Sequence, residues 1–255
     1  MQRTDKVRLK SLGKEHGHVI CYPVYREDEF SCRLKELEKL RIDAIEFVGK
    51  RMIDHLPVLG KGCVGIVVVA YIKDEKVALK IRRTDASRLT MEHEAQMLKK
   101  ANAINVGPRL MMVTKNFLIM EYIEGTLFPE WIQAPNRKYF RSDLIRILKS
   151  ILEQAWRLDR AKLDHGELSH APKHIIIKLN NEPCLLDFET ASESRNVSNV
   201  TSLCQYLFIG SSFAKILRRK LGGIKKTDLI KALKLYKMSL NRESFENVLK
   251  KCGIL

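Results

Sequence analysis

The sequence predicts a two-lobed α+β fold with a small N-terminal β-α-β-like appendage. In the first half, a glycine-rich hairpin leads into consecutive apolar strands. In the second half, a long helix carries a wide apolar stripe. A chain of 255 residues suits either one body of two lobes or a pair of small domains. We place the appendage at residues 1–50, the first lobe at 51–123 and a mostly helical second lobe at 124–255.

The N-terminal 50 residues show no catalytic constellation. His18–Tyr25 is predicted as a short strand, Glu27–Arg41 as an amphipathic helix and Ile45–Val48 as a second strand. We therefore expect this part to be an appendage for packing or for docking a partner.

The stretch from Leu59 to Lys80 organises the first lobe. Gly60, Gly62 and Gly65 stand in a G-x-G-x-x-G spacing, and β-branched residues follow at once. A dinucleotide-binding fold needs a helix at that point, and a Walker A loop needs Lys-Ser or Lys-Thr, so neither fits. Two interpretations remain open for this stretch. It is a hairpin lying over phosphates with a lysine on the next strand, or a bulged hairpin whose glycines only supply positive φ.

Further elements follow in order. A helix from about Leu89 to Asn102 carries Glu94, and Val106–Gly125 reads as two strands joined by a turn. The helix from Ser142 to Leu163 has the wide apolar stripe and is expected to be well buried. It delivers the chain to a polar loop that begins at Asp164.

Six short motifs are spaced along the chain. They are G-x-G-x-x-G-x-V at Gly60–Val67, V-A-L-K at Val77–Lys80, Glu94, M-E-Y at Met120–Tyr122, H-G-E-L at His165–Leu168 and L-D-F-E at Leu186–Glu189. This ordered set resembles the protein-kinase-like superfamily, and within it the small atypical kinases of the RIO and KEOPS-associated type. The resemblance covers roughly residues 55–210, and the chain looks like an archaeal-type serine/threonine kinase of this class.

The resemblance implies an ATP- and Mg²⁺-dependent serine/threonine protein kinase that binds ATP between its lobes. Lys80 would neutralise phosphate oxygens and Glu94 would hold Lys80, while Asp187 would be catalytic and ligate Mg²⁺. Glu167 would be the catalytic group that orients or deprotonates the substrate hydroxyl. The residues implied for nucleotide binding are Gly60, Lys61, Gly62, Gly65, Val67, Ala78, Lys80, Glu94, Met120, Glu121 and Ile123.

The chain departs from the kinase pattern at two positions. Glu167 stands where the family has aspartate, and Pro172 stands where a metal-binding asparagine is expected, with Lys173 and His174 close by. A second metal site is therefore not supported. The first hypothesis is phosphotransfer to a protein or to the chain itself, with an ATPase-like variant. The alternative is a nucleotide-binding pseudokinase acting as an RNA-associated factor, and a small-molecule phosphotransferase is a third reading.

The chain is strongly basic. It has 46 Lys and Arg against 30 Asp and Glu, a net charge of +16. The segment Phe213–Leu255 holds 12 of the basic residues and three acids, which is more than half of the excess charge. Such clusters favour contact with a polyanion, so RNA or a ribonucleoprotein is the expected partner. The competing interpretation is a solvated helical face.

The cysteines and the hydropathy pattern point to a cytoplasmic protein. Six cysteines are scattered without a C-x-x-C pair, so neither a zinc site nor a disulfide framework is expected. No apolar run approaches the roughly 18 residues that span a bilayer, and the N-terminus has no signal-like apolar region. We therefore expect a reduced, cytoplasmic protein without a membrane partner.

Overall fold

The computed structural model describes residues 5–134 and 140–255. They form two compact units. The first contains the described residues up to Lys99 together with Pro108–Tyr122, and the second contains Lys100–Gly107 together with Ile123–Leu255. The predicted first lobe, residues 51–123, contains Lys100–Gly107, which belong to the second unit.

The first unit is built on an antiparallel sheet. Its elements are β1 (Asp5–Arg8), α1 (Lys14–Ile20), α2 (Glu27–Lys39), β2 (Ala44–Phe47), β3 (Arg51–Ile53), β4 (Leu56–Val58), β5 (Gly60–Lys61), β6 (Gly65–Ile72), β7 (Glu75–Arg82), most of α3 (Glu92–Ala103), β8 (Leu110–Val113) and β9 (Phe117–Glu121). The sheet has the order β1-β2-β6-β7-β9-β8, with β5 paired to β6, while β3 and β4 form a separate hairpin. Lys73 and Asp74 join β6 to β7 with φ of +48° and +64°, the two positive values that a type I′ hairpin requires.

One face of this sheet forms the core of the first unit. Val68, Leu79 and Ile119 on adjacent strands are fully buried in one cluster with Ile20 of α1 and Leu37 of α2. Alternate residues of a strand point to opposite faces, so Val69 of β6 lies on the other face, in a second cluster with Ala44 and Tyr71.

The N-terminal residues belong to this unit, which corrects the prediction of a separate appendage. β2 pairs with β6, with Ala44 opposite Tyr71, and β1 extends the sheet beyond β2. The strand predicted at His18–Tyr25 is also wrong, because Lys14–Ile20 forms α1. Val19 and Ile20 are both fully buried, and periodicity alone cannot distinguish a short buried helix end from a strand. Residues 1–4 of the predicted appendage lie outside the described residues.

A buried arginine ties α2 to the sheet. The Arg33 side chain is fully buried, and its Nη1 donates to the carbonyls of Ile20 (2.7 Å) and Arg82 (2.6 Å). Its Nε donates to Glu29 at 2.6 Å, and Asn116 Oδ1 accepts from both Arg33 and Arg82. A buried guanidinium is tolerated because it is paired and hydrogen-bonded, so this network fixes the N-terminal helices on the sheet.

The second unit is mostly helical. Its elements are β10 (Gly125–Leu127), α4 (Phe128–Gln133), α5 (Phe140–Arg160), a 3₁₀ segment (Leu168–Lys173), β11 (Ile175–Lys178), β12 (Pro183–Leu185), α6 (Asn199–Cys204), a π-helical segment (Gln205–Gly210), α7 (Ser212–Leu221), α8 (Lys226–Ser239) and α9 (Arg242–Lys251). The three strands form an antiparallel sheet in the order β10-β11-β12. The stripe of α5 is buried as predicted, with Leu144, Ile147 and Ile151 fully inaccessible.

In the described part of the chain, no single helix combines the length and apolar character needed to cross a membrane. One helix pair bent by 81°, Asn199–Gly210 with Ser212–Leu221, meets that test by length and composition alone.

Removal of the buried arginine tests its role in the first unit. Arg33→Ala removes the donor to the Glu29 carboxylate and to the carbonyls of Ile20 and Arg82, and should lower the free energy of unfolding by about 3 kcal/mol or more. Urea denaturation of the purified protein measures this. The control is Arg26→Ala, whose exposed pair with Asp28 should barely change the midpoint. Equal midpoint shifts for the two variants would contradict the proposed anchoring role.

Candidate active site

Five predicted or neighbouring residues share the sheet face opposite the core. Val67 lies directly opposite Lys80, which lies opposite Leu118, and Ala78 lies opposite Met120. Directly opposed residues of antiparallel strands point to the same side, so these five form one surface, which we call the lysine face.

Lys80 is held by a carboxylate on this face. Its Nζ lies 2.8 Å from both Oε1 and Oε2 of Glu94, and each residue is only 4% exposed. A buried ammonium is strongly disfavoured unless an anion compensates it, so each of these two groups depends on the other. Glu94 stands in the first turn of α3, which therefore fixes where the lysine points.

The glycine hairpin, Gly60–Val67, lies beside Lys80. Leu59 N–H donates to the Val67 carbonyl (2.9 Å), and Gly62 N–H donates to the Gly65 carbonyl (2.8 Å). None of the three glycines, all within the described residues, has a positive φ, so a need for positive φ does not explain them.

Gly65 has a different reason to be glycine. A Cβ at this position would lie 3.0 Å from Cγ and Cε of Lys80 and from the Ile81 carbonyl oxygen. At Gly60 the nearest atoms would be those of Val67 at 3.7 Å, an ordinary contact. The absence of a side chain at Gly65 therefore leaves room for the Lys80 side chain to extend to Glu94.

Three further residues that were predicted to bind the nucleotide, Lys61, Glu121 and Ile123, differ in their contacts and burial. Glu121 donates its backbone N–H to the Arg109 carbonyl at 2.9 Å, so that N–H is engaged within the sheet. Ile123 is 8% exposed and belongs to the second unit. The Lys61 ammonium lies 4.4 Å from the centroid of the Tyr22 ring, in a cation–π contact.

In the second unit, His165 braces the polar loop. The residue is fully buried, its backbone N–H donates to Asn199 Oδ1 (2.8 Å), and its Nε2 bonds the Leu186 carbonyl (3.0 Å). Burial lowers the pKa of His165 to about 4, aided by the neighbouring His174. The imidazole is therefore neutral near pH 7 and donates through Nε2–H, because a carbonyl can only accept.

A buried polar cluster that the sequence did not reveal supports this loop. Asp159 Oδ1 accepts from the backbone and side-chain nitrogens of Asn199 (2.9 and 2.8 Å), and its Oδ2 accepts from Tyr236 (2.8 Å). Asn199 also donates to the Leu163 carbonyl at 2.8 Å. Burial raises the pKa of Asp159. A carboxylate inside the apolar stripe of α5 was the only sequence signal for it.

The backbone ahead of Glu167 is fixed by a second set of contacts. Gly166 has φ +87°, and a Cβ there would lie 2.6 Å from Arg195 Nη2 and 2.7 Å from Thr190 Oγ1. Arg195 Nε donates to Asp164 Oδ2 at 2.9 Å. Only glycine fits this position, because both the backbone conformation and the space exclude a side chain.

The two predicted catalytic carboxylates flank one histidine. His174 Nε2 lies 3.5 Å from Glu167 Oε2, and His174 Nδ1 lies 3.6 Å from Asp187 Oδ2. The histidine side chain is 8% exposed, whereas the carboxylate side chains are 40% and 38% exposed. Lys173, the residue between Pro172 and His174, is solvent-exposed.

The second unit fits a metal that binds together with phosphate. The described residues contain no group of three or more His, Cys, Asp and Glu that could hold a metal by themselves. Mg²⁺ is usually bound through one or two carboxylates plus substrate phosphates and water. Asp187 suits that mode because its partly exposed carboxylate is presented from a strained backbone with φ +69°.

Together, the antiparallel sheet with its lysine–glutamate pair and the helical unit with its polar loop define a protein-kinase-like chain. The family model of the RIO domain matches residues 68–203, more than half of the sequence, and the chain belongs to this family of atypical kinase-like proteins. The match includes Lys80, Glu94, Glu167 and Asp187 and begins just after the glycine hairpin. The predicted recognition is confirmed, and so is the α+β, kinase-like fold class, in which the N-terminal residues are part of the first unit.

Two relatives have limited similarity to the chain. The serine/threonine-protein kinase YabT of Bacillus subtilis (strain 168) is 28% identical over 130 residues, 46% of this chain and 38% of the relative. The uncharacterized protein MJ1211 of Methanocaldococcus jannaschii is 28% identical over 102 residues, 40% of this chain and 83% of the relative. The chain thus spans well under half of the length of YabT.

The buried histidine makes stability depend on pH. The pKa of His165 is about 4 in the folded chain, below its ordinary 6.5, so unfolding takes up a proton between these values. The stabilisation is complete above pH 6.5 and should fall by up to about 3 kcal/mol as the pH approaches 4. Urea unfolding at several pH values should show this loss against His165→Gln, which keeps a donor but cannot be protonated. The control His170→Gln changes an exposed ring and should keep the wild-type slope.

Proposed function

We propose that this chain is an atypical protein kinase that transfers the γ-phosphoryl group of ATP to a serine or threonine hydroxyl of a protein, including its own. The observation that carries the proposal is the buried Lys80–Glu94 pair beside a glycine hairpin. At the level of the RIO family, kinase-like or ATPase-like phosphotransfer is the class of chemistry. The protein substrate and the serine/threonine preference belong to the proposal.

On the first unit, the lysine face suits a nucleotide. Ala78 and Met120 offer an apolar surface for a base, and Lys80 offers a cation whose direction is fixed by Glu94. An oriented ammonium stabilises phosphate charge without reorganising during the reaction, and this is the main contribution a protein makes to phosphoryl transfer.

On the second unit, the two carboxylates divide the remaining roles. Asp187 would hold Mg²⁺, which when bound would neutralise charge on the phosphate oxygens. Glu167 is exposed enough to accept the hydrogen bond of a substrate hydroxyl and to orient its oxygen for attack. His165 keeps this loop in place and takes no part in proton transfer, because it is buried and neutral.

A nucleotide-binding pseudokinase is the second candidate. It is favoured by one observation, the longer Glu167 in place of aspartate on a backbone that Gly166 and Arg195 restrain. A displacement of about 1 Å at a reacting group can lower a rate roughly a hundredfold. This candidate requires nucleotide binding without turnover.

Turnover separates the two candidates. The purified protein, incubated with radiolabelled ATP and Mg²⁺, should transfer phosphate to itself or to a general acceptor protein. Asp187→Ala and Lys80→Ala should each lower the rate about a hundredfold or more. The control Lys76→Ala removes an exposed lysine from the same strand and should leave the rate unchanged.

Nucleotide binding is measured in parallel by the shift in thermal unfolding with ATP. Lys80→Ala should abolish the shift, and so should Gly65→Ala, which crowds the lysine, whereas Gly60→Ala should keep it. A wild-type rate equal to that of Asp187→Ala, with the thermal shift intact, would replace the kinase proposal by the pseudokinase.

We also propose a polyanionic partner, RNA or a ribonucleoprotein, for the C-terminal helices. An open groove of about 340 Å³ there is lined by Gly222, Gly223, Lys225, Asp228, Lys250, Lys251 and Gly253. The three lysines are solvent-exposed, and a Cβ on any of the three glycines would meet no atom within 4 Å. The groove therefore combines cations with an open backbone, which suits phosphate groups of a nucleic acid.

Salt dependence tests this partner. Binding of a fluorescent single-stranded RNA should weaken steeply with salt, and changing Lys225, Lys250 and Lys251 to Gln should reduce the slope by about two, since each contact contributes about 0.7. The charge-matched control changes the exposed Lys10, Lys35 and Lys39 of the first unit. Equal slopes for the two triple variants would count against the groove.

The proposed setting is cytoplasmic and reducing. It is supported by the cysteines, which are all free thiols in the structure, with four of them buried.

A further inference from the structure

The ring of His174 lies between the two carboxylates of the second unit. Its two nitrogens face different residues, Glu167 at 3.5 Å and Asp187 at 3.6 Å. Imidazole nitrogens lie on the same rigid ring, so a carboxylate held at each of them is separated from the other by the ring itself. The histidine therefore determines how closely the two acids can approach.

The histidine is the fixed member of this trio. Its carbonyl accepts the Leu186 N–H at 2.8 Å, and the next residue, Ile175, starts β11 and is fully buried. Its ring lies 6.0 Å from that of the fully buried His165. The carboxylate side chains are about five times more exposed, so the buried ring positions them and not the reverse.

This separation has a chemical consequence. A hard divalent cation would gain from two carboxylate ligands, and two acids on neighbouring segments would otherwise converge on it. With the ring between them, the acid at 187 is left for the metal and the acid at 167 for the substrate hydroxyl. An acid engaged by a metal is a poor acceptor for a hydroxyl, so the separation protects the catalytic role.

We propose that His174 is a positioning residue that keeps Glu167 and Asp187 apart and restricts metal binding to Asp187. The proposal rests on the proposed function, because it concerns the metal that the phosphotransfer reaction uses. In this proposal, His174 keeps the carboxylate of Asp187 available for the metal and that of Glu167 available for the substrate hydroxyl.

The test measures Mn²⁺ binding by electron paramagnetic resonance, with the full chain and a non-hydrolysable ATP analogue. In the wild type, Glu167→Gln should leave Mn²⁺ affinity unchanged. His174→Ser removes the spacer, lets both acids reach the ion and should raise affinity roughly tenfold. In the His174→Ser background, Glu167→Gln should remove that gain. His174→Gln retains a polar spacer and should bind Mn²⁺ like the wild type, and His170→Ser is the matched control on an exposed histidine.

Two results would overturn the inference. One is weaker or unchanged Mn²⁺ binding in His174→Ser, provided that thermal unfolding shows a folded chain. The other is a loss of affinity for Glu167→Gln in the otherwise unchanged protein. Failure of the proposed function gives a different pattern, in which Asp187→Asn leaves Mn²⁺ binding intact or the wild type binds no Mn²⁺ with the nucleotide analogue.

Discussion

The arrangement of the first unit depends on one buried ion pair. The ammonium of Lys80 is withdrawn from water, and the Glu94 carboxylate at 2.8 Å compensates its charge. The pair requires the first turn of α3 to lie within reach of Lys80, and a Cβ at position 65 would lie 3.0 Å from the lysine side chain. The pair lies on one face of the sheet, and the N-terminal helices cover the opposite, core face. Because the buried ammonium of Lys80 needs the Glu94 carboxylate, the pair fixes where the cation lies on the lysine face.

In the second unit, buried side chains that hydrogen-bond to one another hold the backbone of the polar loop in place. Asp159 and Asn199 satisfy each other and also hold the backbone at Leu163 and His165. Both side chains are hydrogen-bonded within the protein, and a buried polar network whose groups are all hydrogen-bonded adds rigidity. The exposed acids that follow are presented from this support. The unit thus places buried, hydrogen-bonded groups behind the partly exposed acids.

The sequence predicted the elements well and the long-range contacts poorly. The β-branched run of β6, the stripe of α5 and the order of the motifs are local signals, and they located Lys80, Glu94, Glu167 and Asp187 correctly on strands, helix and loops. The N-terminal part was predicted as a separate appendage because its bond to the sheet joins Arg33 to Asn116, 83 residues away. Arginine and asparagine are mostly exposed in proteins, so a sequence without knowledge of this contact predicts that Arg33 faces solvent.

In the proposed function, the rate of phosphotransfer depends on where the longer acid at position 167 places its carboxylate. A shift of the backbone would absorb its additional methylene group, but Gly166 is confined by Arg195 and Thr190, and Arg195 is in turn bound to Asp164. The backbone therefore has little room to retreat, and the adjustment falls to the side-chain torsions. On that side the carboxylate meets the fixed ring of His174. The glutamate thus occupies a position set by its loop on one side and by the histidine on the other, so its length is accommodated by a defined contact and not by flexibility.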